Sequence, residues 1–212
     1  MDYSVVIVAA GSGSRMNLGY NKVYFPLNEN ETIIDRTLEV FRNDANCKQI
    51  ILVTNKENFI RFADQHGGTF TLVDGGETRS ESVMNGLCCV LEDYVYIHDG
   101  ARPYVSEEAL KRLNDQLKTE DACMLAVKSI DTVKYVEDGY IVETIDRNKL
   151  YKAQTPQAFK TSVLLSVYNK ARREGISGTD DASLVERFSD VKIKIVEGEY
   201  SNIKITTRED IK

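Results

Sequence analysis

Two glycine-rich stretches, a strand-end carboxylate and a few cations are the residues here whose types and spacing could do chemistry. The first stretch is Ala9-Ala10-Gly11-Ser12-Gly13-Ser14-Arg15-Met16, with Lys22 shortly beyond. Glycines let the backbone approach a phosphate closely, and successive N–H groups form an anion nest. Arg15 and Lys22 add mobile positive charge. No window fits the P-loop pattern G-x-x-x-x-G-K-[ST]. Met16 stands where a dinucleotide fingerprint needs its third glycine. The acid such a fingerprint expects after the second strand is also missing, since that strand ends at Val53-Thr54-Asn55. A plain tight turn would use the same glycines; the two cations tilt the reading toward a nucleoside triphosphate.

The second stretch is Asp74-Gly75-Gly76-Glu77-Thr78-Arg79-Ser80, at a junction of strand and helix. Its backbone could close over a base or ribose, and a turn before a capped helix would look the same. His98-Asp99-Gly100-Ala101-Arg102-Pro103 follows another strand. A carboxylate directly at a strand end, beside a glycine-rich phosphate loop, is placed to hold Mg²⁺, a hard ion that prefers oxygen. His98 would point to the other side of the strand and is read as structural. Asp131-Thr132, Ile145-Asp146-Arg147-Asn148, Gln154-Thr155-Pro156-Gln157, Thr179-Asp180-Asp181 and Asn202-Ile203-Lys204 are each too short to be specific alone. Arg147 and Lys204 could be ordinary surface charges.

The elements that must position these residues follow from hydrophobic period. Ser4–Ala10 is a continuous apolar run, the pattern of a strand buried on both faces. Further strands are predicted at Gln49–Thr54, Thr69–Val73, Tyr94–His98, Ala122–Val127 and Val191–Val196. Helices are predicted over Thr32–Phe41, Asn58–Gln65, Ser80–Leu91, from Ser106 through Leu117, from Lys160 to Arg173, over Asp181–Phe188, and from a start near Thr207. In the Ser80–Leu91 helix, Cys88 and Leu91 fall on the apolar stripe with Val83, Met84 and Leu87. Strand–helix alternation predicts an α/β fold, a mostly parallel sheet with helices on both faces. In such sheets ligands bind beyond the carboxyl ends of the strands, where both glycine stretches and Asp99 fall. Thr132–Val136 and Tyr140–Ile145, joined at Glu137-Asp138-Gly139, read as a β-hairpin. It is either a projecting dimerisation arm or an edge hairpin.

Composition bounds the rest. The chain has 212 residues, 42% hydrophobic and 28% charged, which suits one globular domain over 1–212 with an arm at about 131–154. No apolar run approaches the roughly 20 residues of a membrane helix. The opening Met1-Asp2-Tyr3-Ser4 lacks a basic leader pattern, so a cytoplasmic protein is expected. The net charge is −6, which gives no sign of a general nucleic-acid binder; an anionic small substrate would need a local cluster of cations. Four cysteines without CxxC spacing and only two histidines argue against a zinc site or a disulfide framework. Buried reduced thiols are expected instead.

Taken in order, AAGSGSRM, Lys22, DGGETRSESV, HDGARP, DTVK, IDRN, QTPQAF, TDDASLVE and VEGEYSNIKIT closely resemble the 2-C-methyl-D-erythritol 4-phosphate cytidylyltransferase family, from Val6 to about Asp210. Ribitol-5-phosphate cytidylyltransferases share the fold and several motifs and are the alternative. The resemblance implies a Rossmann-like nucleotidyltransferase sheet and a homodimer joined by the hairpin arm. It implies transfer of CMP from CTP to methylerythritol phosphate, with Mg²⁺ or another hard divalent cation and release of pyrophosphate. Ala9, Ala10, Gly11 and Gly13 would wrap the triphosphate, while Arg15 and Lys22 would stabilise the α-phosphorus and the leaving group. Gly75, Gly76, Glu77 and Ser82 would frame cytosine and ribose, and Gly100 would line the nucleotide. Asp99 would bind Mg²⁺ and Lys204 would reach the α-phosphate. Thr132, Arg147 and Thr179 would bind the acceptor, Arg147 coming from the partner subunit's arm. The chain departs from the pattern at Asn21-Lys22-Val23, where relatives often read Pro-Lys-Gln, and at His98-Asp99-Gly100, where others read His-Asp-Ala.

Overall fold

Val5, Val6 and Ile7 are fully buried, because β1 (Tyr3–Val8) is an interior strand covered on both faces. Val5 and Ile7 enter one core and Val6 the other. The computed structural model describes residues 1–11, 19–60, 62 and 70–211. β2 (Pro26–Asn28) and β3 (Glu31–Thr32) form a small separate pair. β4 (Cys47–Thr54) lies parallel to β1, and β5 (Thr71–Asp74) parallel to β4. β6 (Tyr94–Asp99) runs parallel to β1 on its other side. β7 (Ala122–Lys128) is reached through β10 (Tyr151–Lys160), which is antiparallel to both β6 and β7. β11 (Lys194–Glu197) lies parallel to β7 and completes a seven-stranded sheet of order β11-β7-β10-β6-β1-β4-β5.

Helices cover both faces, as the alternation predicts. On one side α1 (Ile33–Asn43) contributes Ile34, Leu38 and Phe41, and a later helix of the same core contributes Leu110 and Leu113. Thr32 and Asp35 close a capping box at the start of α1, which stabilises it by about 1 kcal/mol. On the other side α2 (Arg79–Leu87) contributes Val83 and Leu87. α3 (Glu107–Gln116), capped by Ser106, is the helix that carries Leu110 and Leu113. α4 (Thr161–Glu174) and α5 (Asp181–Phe188) add Leu164, Val167, Leu184 and Val185 to the second core. Each fully buried aliphatic side chain stabilises the fold by roughly 1.5–3 kcal/mol.

Several expectations change. Cys88 and Leu91 do not face the core. α2 stops at Leu87, and Cys89 N–H and Val90 N–H bond back to Gly86 O and Leu87 O, three residues earlier. That tighter turn breaks the helical period, leaving Cys88 exposed and Leu91 81% exposed. β10 carries Gln154, Thr155 and Gln157, polar residues that hide a strand from a hydrophobic pattern. The last strand is shorter than expected, and the helix start near Thr207 is a single 3₁₀ turn, Arg208–Asp210. The helix predicted over Asn58–Gln65 falls partly outside the described residues. The hairpin is present as β8 (Lys134–Glu137) and β9 (Tyr140–Thr144), a sheet of its own. Asp138 at φ 49° and Gly139 at φ 83° form the two-residue turn that such hairpins favour. Among the described residues no helix is long and apolar enough to cross a membrane.

Candidate active site

The loops after β1, β5 and β6 meet over a cavity of about 480 Å³ beyond the carboxyl ends of those strands. Ala9, Ala10, Gly11, Lys22, Gly76, Glu77, Ser82, Asp99, Gly100 and Lys204 line it, bringing together residues from both glycine stretches, the strand-end acid and the C-terminal segment. Gly13 and Arg15 lie outside the described residues. Gly75 sits just behind the wall. A side chain there would put its Cβ 2.3 Å from the Ala10 Cβ, so only glycine lets the β5 loop press against the β1 loop. Gly76 N–H donates to Ser82 Oγ at 3.0 Å, and Ser82 Oγ donates to Thr78 O at 3.0 Å, which fixes the second stretch on the start of α2.

Lys22 is buried and its Nζ donates to Ile205 O at 2.6 Å, joining segments 183 residues apart. Asn21 supplies the local geometry. Its Oδ1 accepts from Val23 N–H and its Nδ2 donates to Ala9 O, so this residue both caps the 3₁₀ turn Lys22–Tyr24 and ties it to the first loop. The lysine thus lines the cavity without the Pro-Lys-Gln pattern.

Asp99 ends β6, and cations surround it. Lys204 Nζ is 2.7 Å from Oδ2, Arg79 Nε is 3.6 Å from Oδ1 and Arg102 Nε is 3.8 Å from Oδ2. Burial alone would raise its pKa. Lys204, Arg79 and Arg102 outweigh burial and hold the carboxyl down at about 2. The cluster as a whole is cationic and suits a polyanion, although the chain is net acidic. Among the described residues no group of three His, Cys, Asp or Glu side chains could hold a metal. One ionised carboxylate facing a phosphate-sized cavity nevertheless fits Mg²⁺, which commonly binds through one or two carboxylates plus substrate phosphates.

His98 is structural, as expected, and packs edge-on against Phe41. Arg102 O can only accept, so His98 Nε2 carries the ring proton and donates to it at 3.0 Å. Nδ1 of the neutral ring then accepts from Thr155 Oγ1 at 3.0 Å, and that hydroxyl oxygen itself accepts from Asp99 N–H at 3.1 Å. Burial lowers the His98 pKa to about 4.

Thr132, Arg147 and Thr179 do not line this cavity. Thr132 and Arg147 are exposed at the root of the hairpin, and Thr179 is exposed just before α5. Sequence reasoning missed Arg79, Asp181 and Thr155. Arg79 lies inside DGGETRSESV and Asp181 inside TDDASLVE, but nothing local marks them as partners. Arg79 Nη2 donates to Asp181 Oδ2 at 2.7 Å across 102 residues.

A mostly parallel sheet whose strand-end loops form a glycine-lined, lysine-bearing cavity around one buried carboxylate places the protein among the nucleotidyltransferases. The sequence profile of the 2-C-methyl-D-erythritol 4-phosphate cytidylyltransferase family matches residues 3–212. Enzymes of that name from Bacillus licheniformis and Geobacillus kaustophilus are 43% and 44% identical to it. The alignments cover all of this chain and 93% and 94% of those proteins. The crystal structure of the Francisella tularensis enzyme of the same name superposes with a TM-score of 0.86 at 32% identity, covering 100% of this chain and 97% of that one. The chain belongs to the 2-C-methyl-D-erythritol 4-phosphate cytidylyltransferase family.

Proposed function

We propose that this chain transfers CMP from CTP to 2-C-methyl-D-erythritol 4-phosphate, giving 4-diphosphocytidyl-2-C-methyl-D-erythritol and pyrophosphate. The observation that carries the reading is the cation cluster around Asp99 at the end of β6, with Lys22 lining the same cavity. A phosphate oxygen of the acceptor attacks the α-phosphorus in line. The bond from that phosphorus to the oxygen bridging the β-phosphate breaks, and pyrophosphate leaves with the electron pair. The nucleophile is already an anion, so no strong base is needed; positioning and positive charge lower the barrier. Lys22 and Arg15 stabilise the α-phosphorus and the leaving pyrophosphate, and Lys204 reaches the α-phosphate. Asp99 would hold Mg²⁺, which would neutralise charge on the triphosphate. Ala9, Ala10, Gly11 and Gly13 wrap the phosphates, Gly100 lines the nucleotide, and Gly75, Gly76, Glu77 and Ser82 frame ribose and base.

The acceptor side uses Thr132 and Thr179 with Arg147 of the partner subunit. The exposed apolar hairpin supports a homodimer, and the exposure of Arg147 at its root suits delivery to a neighbouring site. The test is pyrophosphate release with CTP and Mg²⁺, with methylerythritol phosphate and ribitol 5-phosphate run in parallel. Release with the first alone is expected, and Lys22→Ala and Asp99→Ala should each lose most turnover while keeping the fold at reduced stability. Release with ribitol 5-phosphate alone would overturn the acceptor, and near-normal turnover in either variant would overturn the site.

A further inference from the structure

Arg79 has no part in the roles above, yet it faces the cavity in a fixed pose. It is the first residue of α2, where a cation opposes the helix macrodipole. Helix stability therefore does not account for it. Asp181 holds it. That carboxylate is fully buried; Oδ2 accepts from Arg79 Nη2 at 2.7 Å and Oδ1 accepts from Tyr168 OH at 2.5 Å. Burial works against the charge on Arg79, but Asp181 outweighs it and raises the guanidinium pKa. Arg79 Nε in turn lies 3.6 Å from Asp99 Oδ1, opposite Lys204.

A relay thus runs from Tyr168 on α4, through Asp181 on α5, to Arg79 at the cavity wall. Asp181 itself is not among the residues lining the cavity. Lys204 is a point charge on a flexible stem and can turn from Asp99 to a phosphate. Arg79 is anchored from behind and stays. We propose that Asp181 is a positioning residue of the nucleotide site: with Tyr168 it fixes the Arg79 guanidinium toward the triphosphate space and beside Asp99. The inference rests on the CTP reading above.

The test measures CTP binding directly by calorimetry on the full chain without acceptor, alongside steady-state kinetics and thermal melts. Asp181→Asn keeps the volume and the Tyr168 contact but removes the anion behind Arg79. It is expected to weaken CTP binding about tenfold, comparable to losing one charge-assisted hydrogen bond, with little change in acceptor KM. Tyr168→Phe should shift CTP binding the same way by less, and carries the test should Asp181→Asn fail to fold. The double variant Arg79→Gln/Asp181→Asn should bind CTP no worse than Arg79→Gln, because the pair acts as one unit. Unchanged CTP affinity in a folded Asp181→Asn, or losses that simply add in the double variant, would overturn the proposal and leave a structural clamp between α5 and α2. Failure of the unaltered chain to bind CTP would overturn the nucleotide reading, and this inference with it.

Discussion

His98 and Asp99 are neighbours on β6 that resolve burial in opposite ways. Asp99 keeps its charge because Lys204, Arg79 and Arg102 face it, and His98 loses its proton because burial penalises the charged ring by more than the Arg102 carbonyl favours it. Protonating His98 at Nδ1 would set a donor against the Thr155 hydroxyl, which also caps the Asp99 amide. The unfolded chain takes up this proton near pH 6.5 and the folded chain only near 4. Between those values the unfolded state binds more protons, so stability is full above about pH 6.5 and is lost as pH falls toward 4, by about 3 kcal/mol. Asp99 acts lower down: its contribution is full above pH 3.8 and is lost as pH falls through about 2. Urea denaturation at steps from pH 7 to 4.5 should show a steep decline in the unaltered chain and a flatter one in His98→Gln. Parallel declines would mean that other groups govern the acid sensitivity.

The hairpin is the element least explained by the chain that carries it. Tyr140, Ile141 and Val142 lie on alternate faces of β9 and are 78%, 65% and 57% exposed, so neither face of this two-stranded sheet is covered. A lone hairpin is marginal in water, and a contiguous exposed apolar surface marks an interaction site. Sedimentation should give twice the chain mass for the unaltered protein and the monomer mass for Ile141→Lys. That variant should also raise acceptor KM, since Arg147 would no longer reach a partner, while CTP binding stays nearly unchanged. A dimeric Ile141→Lys with normal kinetics would remove the arm from the assembly. The hairpin was legible because Asp138-Gly139 marks its turn. β10 was not, because Gln154 and Gln157 earn burial through bonds to Glu199 O, Asp180 and Ala182 N–H that no hydrophobic pattern records. The exposed Cys88 was misread for the converse reason: its spacing is helical, but the helix has already ended.

At the scale of the whole molecule, the cavity is a seam between distant parts of the chain. The ends of β1 and β6 and the start of α2 meet the C-terminal segment there, held by Lys22 to Ile205 O, Lys204 to Asp99, and Arg102 Nη1 to Asn202 O at 2.8 Å. What each segment contributes was legible, since strand ends and glycines are local signals. How the segments are stitched was not, because Arg79–Asp181 and Lys22–Ile205 are contacts that only the folded sheet creates. A ligand filling such a seam stabilises every segment it bridges, and therefore the fold rather than one loop. CTP with Mg²⁺ at about a hundred times its Kd adds about 2.7 kcal/mol. For a chain of this length that corresponds to a Tm rise of roughly 5–10 °C. Calorimetric melting should show one transition moving upward as a unit, with slower hydrogen exchange at Ala9, Ser82, Asp99 and Ile205 together. A shift of only part of the transition, or protection confined to the β1 loop, would mean that the nucleotide sits on one segment and that the seam is not its site.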